Sequence, residues 1–337
     1  MPEFVTRPAL TLALCGALAA AGTAAAEPPR FSFPVACEPD RNCWVVNYVD
    51  LDPGPGVRDF ACGGRTYDGH KGTDVALRDL KAMSMGVFVL AGAAGQVKAA
   101  RDGMEDAVIA AVGRDTIKGR ECGNGVVLDH GDGWETQYCH LRKGSIGVAV
   151  GDIVEAGQSL GLVGLSGLTE FPHAHFEVRY LGKVVDPFVG PEREGPCGPG
   201  RSSLWQPATQ ASLSYRQVVL FNAGFTDSPP STETLRAGDS ARAELPRSAQ
   251  ALVFWVESYG VEAGDVIRLR ITGPEGQILV DAPQTMDRAQ AYRNAFAGRP
   301  VKGGAWAAGR YRGEATLTRS RAAGTVTESI TAEVEIR

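Results

Sequence analysis

The sequence predicts an all-β chain of two antiparallel domains, and three observations carry that prediction. From His70 to about Phe188 the apolar residues come in short or alternating runs broken by glycine, which is strand rather than helix patterning. Past a proline- and glycine-rich stretch at Pro187–Pro199, six further alternating runs recur at intervals set by turn residues. All five histidines fall in the first of these halves.

Taken in order, residues 1–26 read as an export signal. Arg7 is the positive head, Leu10 to Ala21 is apolar, and Ala24-Ala25-Ala26 offers small residues for cleavage before Glu27. The apolar run is short for a membrane span, and no later segment is a better candidate, so stable membrane insertion is not expected. Leu14 before Cys15 is bulky where a lipidation motif wants a small residue, which favours soluble export to the periplasm or the medium. Residues 27–66 are irregular and rich in proline, with one strand-like run, Cys43 to Val49.

The first domain is expected over residues 67–190. Its clearest strands are Met85 to Leu90, Gly95 to Ala99, Gly125 to Asp129, Trp134 to His140 and His173 to Tyr180. His130-Gly-Asp-Gly133 reads as a hairpin turn, and Gly103 to Glu121, without clean alternation, as an inserted loop. Residues 191–200 are expected to be a linker. In residues 201–337, Tyr215 to Phe221, Ala251 to Ser258, Val266 to Thr272, Gln277 to Asp281, Arg310 to Thr318 and Thr325 to Ile336 predict a β-sandwich of immunoglobulin-like type.

The chain has 337 residues and a net charge of -5. Residues 201–337 carry a slight excess of cations, so the acidity sits in the first 200 residues and argues against nucleic acid or an anionic membrane as partner. Of seven cysteines, Cys15 leaves with the signal. The even remainder (Cys37, Cys43, Cys62, Cys122, Cys139 and Cys197) in an exported chain predicts disulfides. Spacing favours only the local pair Cys37–Cys43, and the lack of any Cys-x-x-Cys argues against a zinc–thiolate site.

The chemistry lies in Gly69-His-Lys-Gly-Thr-Asp74 and in the pair His173-Ala-His175. Imidazoles with one carboxylate make a three-ligand site with a fourth position open, which is how a hydrolytic zinc site is built. Either motif alone is commonplace; both together, with His140 in a strand-like Tyr-Cys-His-Leu, are not. Gly69 and Gly72 disfavour a helix around His70, which places the His70/Asp74 pair on a loop running into a strand at Val75–Leu77. Residues two apart on a strand share a face, so His173 and His175 project together. The economical arrangement uses one of that pair as a ligand and leaves its neighbour beside the attacking water. His140 and His173 suit the tasks of taking a proton and holding an oxyanion. Glu177, on the same face, suits orienting His175.

These residues resemble the lysostaphin-type (LytM and β-lytic) zinc endopeptidases from about Tyr67 to Phe188. Five motifs follow in the family's order. They are Gly69–Asp74, Asn124–Trp134 with Thr136–Leu141, Val150–Gln158, Gly161–Gly167 and Pro172–Val178. The resemblance implies a lysostaphin-type antiparallel β-sheet (duplicated hybrid motif) with a groove walled by loops. It implies one zinc ion held by His70, Asp74 and His175, with His140 and His173 catalytic, and hydrolysis of peptide bonds in peptidoglycan. His130 is expected only to support structure. The chain departs from the family at Phe171, where glycine is usual, and at Ala174, where a large apolar residue is usual. Two rival functions share the fold: a non-enzymatic activator of other wall hydrolases, and a secreted protease acting on glycine-rich proteins. Retention of all five site residues argues for an enzyme. The C-terminal domain is open to binding wall glycan, binding a protein partner or covering one end of the groove.

Overall fold

The structure, a computed structural model, describes Met1, residues 27–192, Gly195 and residues 197–302, 304–322 and 324–337. All but Met1 of the expected export signal, and part of the expected linker, lie outside the described residues.

The first half contains β1 (Cys43–Asn47), β2 (Thr73–Leu77), β3 (Phe88–Leu90), β4 (Gly95–Arg101), β5 (Asn124–Asp129) and β6 (Trp134–Leu141). It continues with β7 (Ile153–Val154), β8 (Ser159–Leu162), β9 (His173–Tyr180) and β10 (Lys183–Val185). Eight of these strands form one antiparallel sheet in the order β1-β2-β9-β6-β5-β4-β7, with β10 also on β9, while β3 and β8 pair apart. Alternation along each strand decides what faces inward. Val75 and Leu77, Val126 and Leu128, and Phe176 and Val178 meet Phe31, Tyr138 and Trp205 in one buried core. Phe176 is 1% exposed, and its truncation to alanine is expected to cost about 3–5 kcal/mol.

That core reaches beyond the residues expected for it. Phe31, Val35, Tyr48 and Phe60 come from the irregular N-terminal segment, and Leu204, Trp205 and Leu213 from past residue 200. The stretch expected to be a linker is tied down: Cys62 and Cys197 form a disulfide, Gly198 N donates to Phe60 O, and Gly200 N donates to Phe188 O. The other disulfides are Cys37–Cys43 and Cys122–Cys139.

Several expected elements differ. Met85 ends a short helix, α1 (Leu80–Met85), whose first turn Asp79 caps by accepting from Ala82 N, so the strand begins only at Phe88. The inserted loop carries α2 (Ile109–Val112) and a 3₁₀ turn at Arg114–Ile117. Asp74 lies inside β2 rather than on the loop before it, because pairing with β9 begins at Thr73. The turn at His130 is as expected, with Gly131, Asp132 and Gly133 all at positive φ.

The second half holds α3 (Pro207–Ser212), β11 (Val219–Thr226), α4 (Thr232–Ala237), β12 (Glu244–Leu245), β13 (Ala251–Val261) and β14 (Val266–Thr272). The remaining strands are β15 (Ile278–Thr285), β16 (Gln290–Pro300), β17 (Gly309–Arg321) and β18 (Gly324–Ile336). Two sheets, β11-β13-β16 and β12-β18-β17-β14-β15, enclose Phe225, Phe254, Leu269, Leu317 and Val334. This is a two-sheet sandwich in which β12 pairs in parallel with β18, whereas the immunoglobulin-like expectation is of antiparallel sheets. β11 starts four residues later than expected, and β16 is an element the sequence reading missed.

The halves meet through an aromatic cluster. Trp44, Val46 and Ala76 of the first sheet pack with Val219, Phe221 and Tyr259 of the sandwich. Arg65, 4% exposed, pins the junction by donating to Val45 O, Val46 O and Arg216 O. Gly260 has to be glycine there, since its φ is +73° and a Cβ would stand 2.6 Å from Arg65 Cδ.

Candidate metal centre

Register brings the site together. Asp74 on β2 pairs with His175 on β9, and His175 pairs on its other side with Cys139 on β6. His70 precedes β2 and is delivered by a tight turn in which its N–H bonds Tyr67 O. Gly72 leaves the necessary space, because a Cβ there would lie 2.6 Å from the His175 ring.

His70 Nδ1 donates to Tyr48 O at 2.7 Å, which fixes the tautomer and turns a lone pair on Nε2 toward the site. That Nε2 lies 3.1 Å from Asp74 Oδ1 and 3.1 Å from His175 Nδ1. His175 Nδ1 lies 2.8 Å from the same carboxylate oxygen. The other Asp74 oxygen accepts from Asn47 Nδ2 at 2.9 Å, which sets the carboxylate plane. His175 Nε2 is 3.7 Å from Glu177, whose Oε1 accepts from Arg179. His70, Asp74 and His175 thus bring three donor atoms within 4.8 Å of one another, and among the described residues they form the group able to hold a metal ion. Two nitrogens and one oxygen, each oriented from behind, are a donor set that zinc accepts.

Electrostatics fit such a site. Burial opposes ionisation of Asp74, but the neighbouring His70 and His173, with bonds from His175 and His70, hold its carboxyl well below the usual range. Burial likewise opposes charge on His175, yet its bond to Asp74 and the nearby Glu177 carboxylate push it up to about 9. Without a cation, a proton on His175 reconciles the three groups; a divalent ion held there would take the place of that proton.

Two further imidazoles border the cluster. His140 Nδ1 donates to Ser166 O at 2.8 Å, and His173 Nδ1 donates to Phe171 O at 2.9 Å with Thr169 Oγ1 at 3.0 Å. Their rings are 4.5 Å apart, and His173 Nε2 is 3.7 Å from Asp74 Oδ1. Burial, then the charges of His173 and His175, hold His140 well below the ordinary histidine value; burial also lowers His173. His140 has φ +64°, a left-handed conformation that costs a residue bearing a Cβ about 1 kcal/mol or more. The adjacent Cys122–Cys139 disulfide and the bond from His140 N to Cys122 O hold it there.

The five expected site residues therefore converge. Sequence reading passed over Asn47, Tyr48, Thr169 and Tyr67. Asn47 had a signal, as the one amide in an otherwise apolar strand run. Tyr48, Ser166 and Phe171 act through main-chain carbonyls, which no side chain announces. Tyr67, half exposed, lays its ring 4.4 Å from His70 at the mouth of the site. His130 is outside the cluster, bonded to Ala94 O and Thr136 Oγ1.

Residues 68–187 match the model of Peptidase family M23. A 64-residue stretch is 44% identical to the cell division protein DipM of Caulobacter vibrioides, covering 19% of this chain and 10% of that protein. A 74-residue stretch is 42% identical to the DD-carboxypeptidase/endopeptidase Mpg of Neisseria meningitidis, covering 21% of this chain and 16% of the relative. The chain thus spans less than a fifth of the length of these relatives. The catalytic domain of the antimicrobial peptidase lysostaphin from Staphylococcus simulans is 25% identical with a TM-score of 0.28, covering 42% of this chain and 85% of that domain.

Proposed function

We propose, taking residues 68–187 as a domain of Peptidase family M23, that this chain is an exported zinc endopeptidase that cuts peptide cross-links of peptidoglycan. The observation that supports it most is the convergence of His70 Nε2, Asp74 Oδ1 and His175 Nδ1 beside two neutral imidazoles. Those three atoms would hold the ion, and zinc bound there supplies Lewis acidity toward water and a carbonyl oxygen.

The remaining work falls to His140 and His173. Each commits Nδ1–H to a carbonyl, which leaves Nε2 as the basic nitrogen. Their lowered basicity keeps them neutral at pH 7, as a proton acceptor must be. One takes the proton of the attacking water and passes it to the departing amine. The Nε2–H formed on the first ring faces the developing oxyanion until that proton leaves, while the other ring, neutral and 4.5 Å away, borders the same reacting atoms. Asn47 and Glu177 keep the ligands aimed. Export accords with three disulfides, which persist in oxidising compartments. No helix among the described residues is long and apolar enough to cross a membrane.

The test is a digest of purified peptidoglycan by zinc-loaded residues 27–337, with released fragments identified by mass. Fragments ending at a cleaved cross-link are expected. Intact peptidoglycan, with a partner wall hydrolase stimulated instead, would favour an activator; cleavage confined to glycine-rich proteins would move the substrate.

A further inference from the structure

The loop from Ser166 to Pro172 is held from two sides. On the site side, Phe171 O accepts from His173 Nδ1, and the Phe171 ring lies 4.7 Å from the His173 ring at 31°. Thr169 Oγ1 donates to Phe171 O at 2.8 Å and stands 3.0 Å from His173 Nδ1, so residues 169–173 form one bonded unit. On the other side the loop rests on the sandwich. Phe171 packs on the Phe221–Tyr259 cluster, its ring centroid 6.1 Å from Tyr259, and Tyr259 is stacked on Phe221 at 4.2 Å. Glu170 Oε2 is 3.6 Å from Arg236 of α4, whose guanidinium also lies over the Tyr292 ring.

We infer that Phe171 is a positioning residue through which the C-terminal sandwich sets the orientation of His173. The inference rests on the proposed hydrolytic role of that site. Its force is geometric. The His173 ring is held along its Nδ1 edge by Phe171 O and Thr169 Oγ1, and the Phe171 face fixes the tilt of the ring about that edge. The Phe171 ring itself stays in place because Tyr259 and Phe221 back it, and both belong to the sandwich. The sandwich thereby acts on turnover with no group of its own in the site. The zinc ligands hang from β2, β9 and the Tyr48 carbonyl, so they do not depend on this contact.

The test compares the zinc-loaded full chain with Phe171→Ala, Phe171→Leu, Tyr259→Leu and Arg236→Ala. Phe171→Ala and Tyr259→Leu are expected to lower kcat about tenfold with KM within about twofold, as for a misplaced reacting group. Phe171→Leu, which keeps apolar bulk against both neighbours, should recover most of kcat, and bound zinc should stay at the wild-type level throughout. A second readout needs no turnover: the His173 Nδ1–H resonance in nitrogen-labelled protein, slow to exchange in the wild type, should broaden in Phe171→Ala and persist in Phe171→Leu. Arg236→Ala, on the partly exposed side of the contact, guards against a folding defect in Tyr259→Leu and should show the same change to a smaller degree. An unchanged kcat and an unchanged resonance in Phe171→Ala would overturn the inference. If the wild type cleaves no peptidoglycan, the proposed function fails alone, and the resonance still decides the role of Phe171.

Discussion

The two halves bury charge in opposite ways. In the sandwich the arrangement closes on itself. Arg319, its side chain 3% exposed, donates to both oxygens of Asp265 at 2.9 and 2.7 Å, and to Glu262 and Gly260 O. Glu257 accepts from Tyr292 Oη and Asn222 Nδ2. In the first half, His70, Asp74 and His175 point their donor atoms at one another, while their remaining polar atoms are tied to Tyr48, Asn47 and Glu177. A closed network contributes to the fold; a convergent set of lone pairs is built to receive something. That difference separates a structural cluster from a site.

The comparison can be broken in order of effect. Chelation of the loaded chain should abolish hydrolysis and leave the sandwich folded, and added zinc should restore activity, as read by fragment release and circular dichroism. Persistent hydrolysis in metal-free protein would remove the distinction drawn above.

Next in size is the disulfide Cys62–Cys197, which closes 135 residues of chain around the first core. Replacing both cysteines by serine should lower unfolding free energy by about 5 kcal/mol or somewhat less, measured by denaturant titration. The same change on Cys37–Cys43, with a separation of 6, should cost about 2 kcal/mol. Equal effects would show that chain entropy is not what these bridges act on.

Arg319→Met leaves Asp265 buried without its cation and should cost about 3–5 kcal/mol by thermal melting. Bound zinc, measured by metal analysis, should not change. Zinc loss in this variant would couple the closed network to the open one.

The smallest effect is one of pH on the metal-free chain. His175 is raised in the folded state, to about 9, so its contribution is complete below its ordinary 6.5 and disappears as pH climbs through about 9. Asp74 is depressed, so its contribution is complete above 3.8 and is lost only as pH falls through its lowered value. Melting of metal-free protein should therefore weaken between about pH 6.5 and 9, by no more than about 3 kcal/mol. Zinc binding should run the other way and tighten over that interval, because His175 has to release its proton. Metal-free stability that rises across this window would contradict the assignment of that proton.

How far the sequence reveals this follows the same division. The candidate ligands are legible because His-x-x-x-Asp and His-x-His name their own chemistry, and period-two geometry puts His173 beside His175. The strand β16 is not, because Gln290–Pro300 shows no clean alternation and its side chains lie mostly at intermediate exposure. Gly72 reads as a breaker and so predicts a loop at Asp74, whereas pairing with β9 draws the strand back to Thr73. The helix α1 was hidden by Met85 and the apolar run after it, though Asp79 was a cap signal in plain view. The extent of the first core rests on Leu204 and Trp205, which meet Phe31, Phe176 and Phe188; the link to Phe31, far away in sequence, is unpredictable from local pattern.

The most direct test of the account sets His175→Ala beside His173→Ala. One residue is assigned to hold zinc and the other to move a proton, although they stand two apart on one strand. Metal analysis and turnover on a defined cross-linked peptide should be read on the same preparations. The account predicts that His175→Ala loses its zinc and all turnover, while His173→Ala keeps zinc near one ion per chain and loses about 100-fold in turnover. Zinc lost as completely from His173→Ala as from His175→Ala would contradict it.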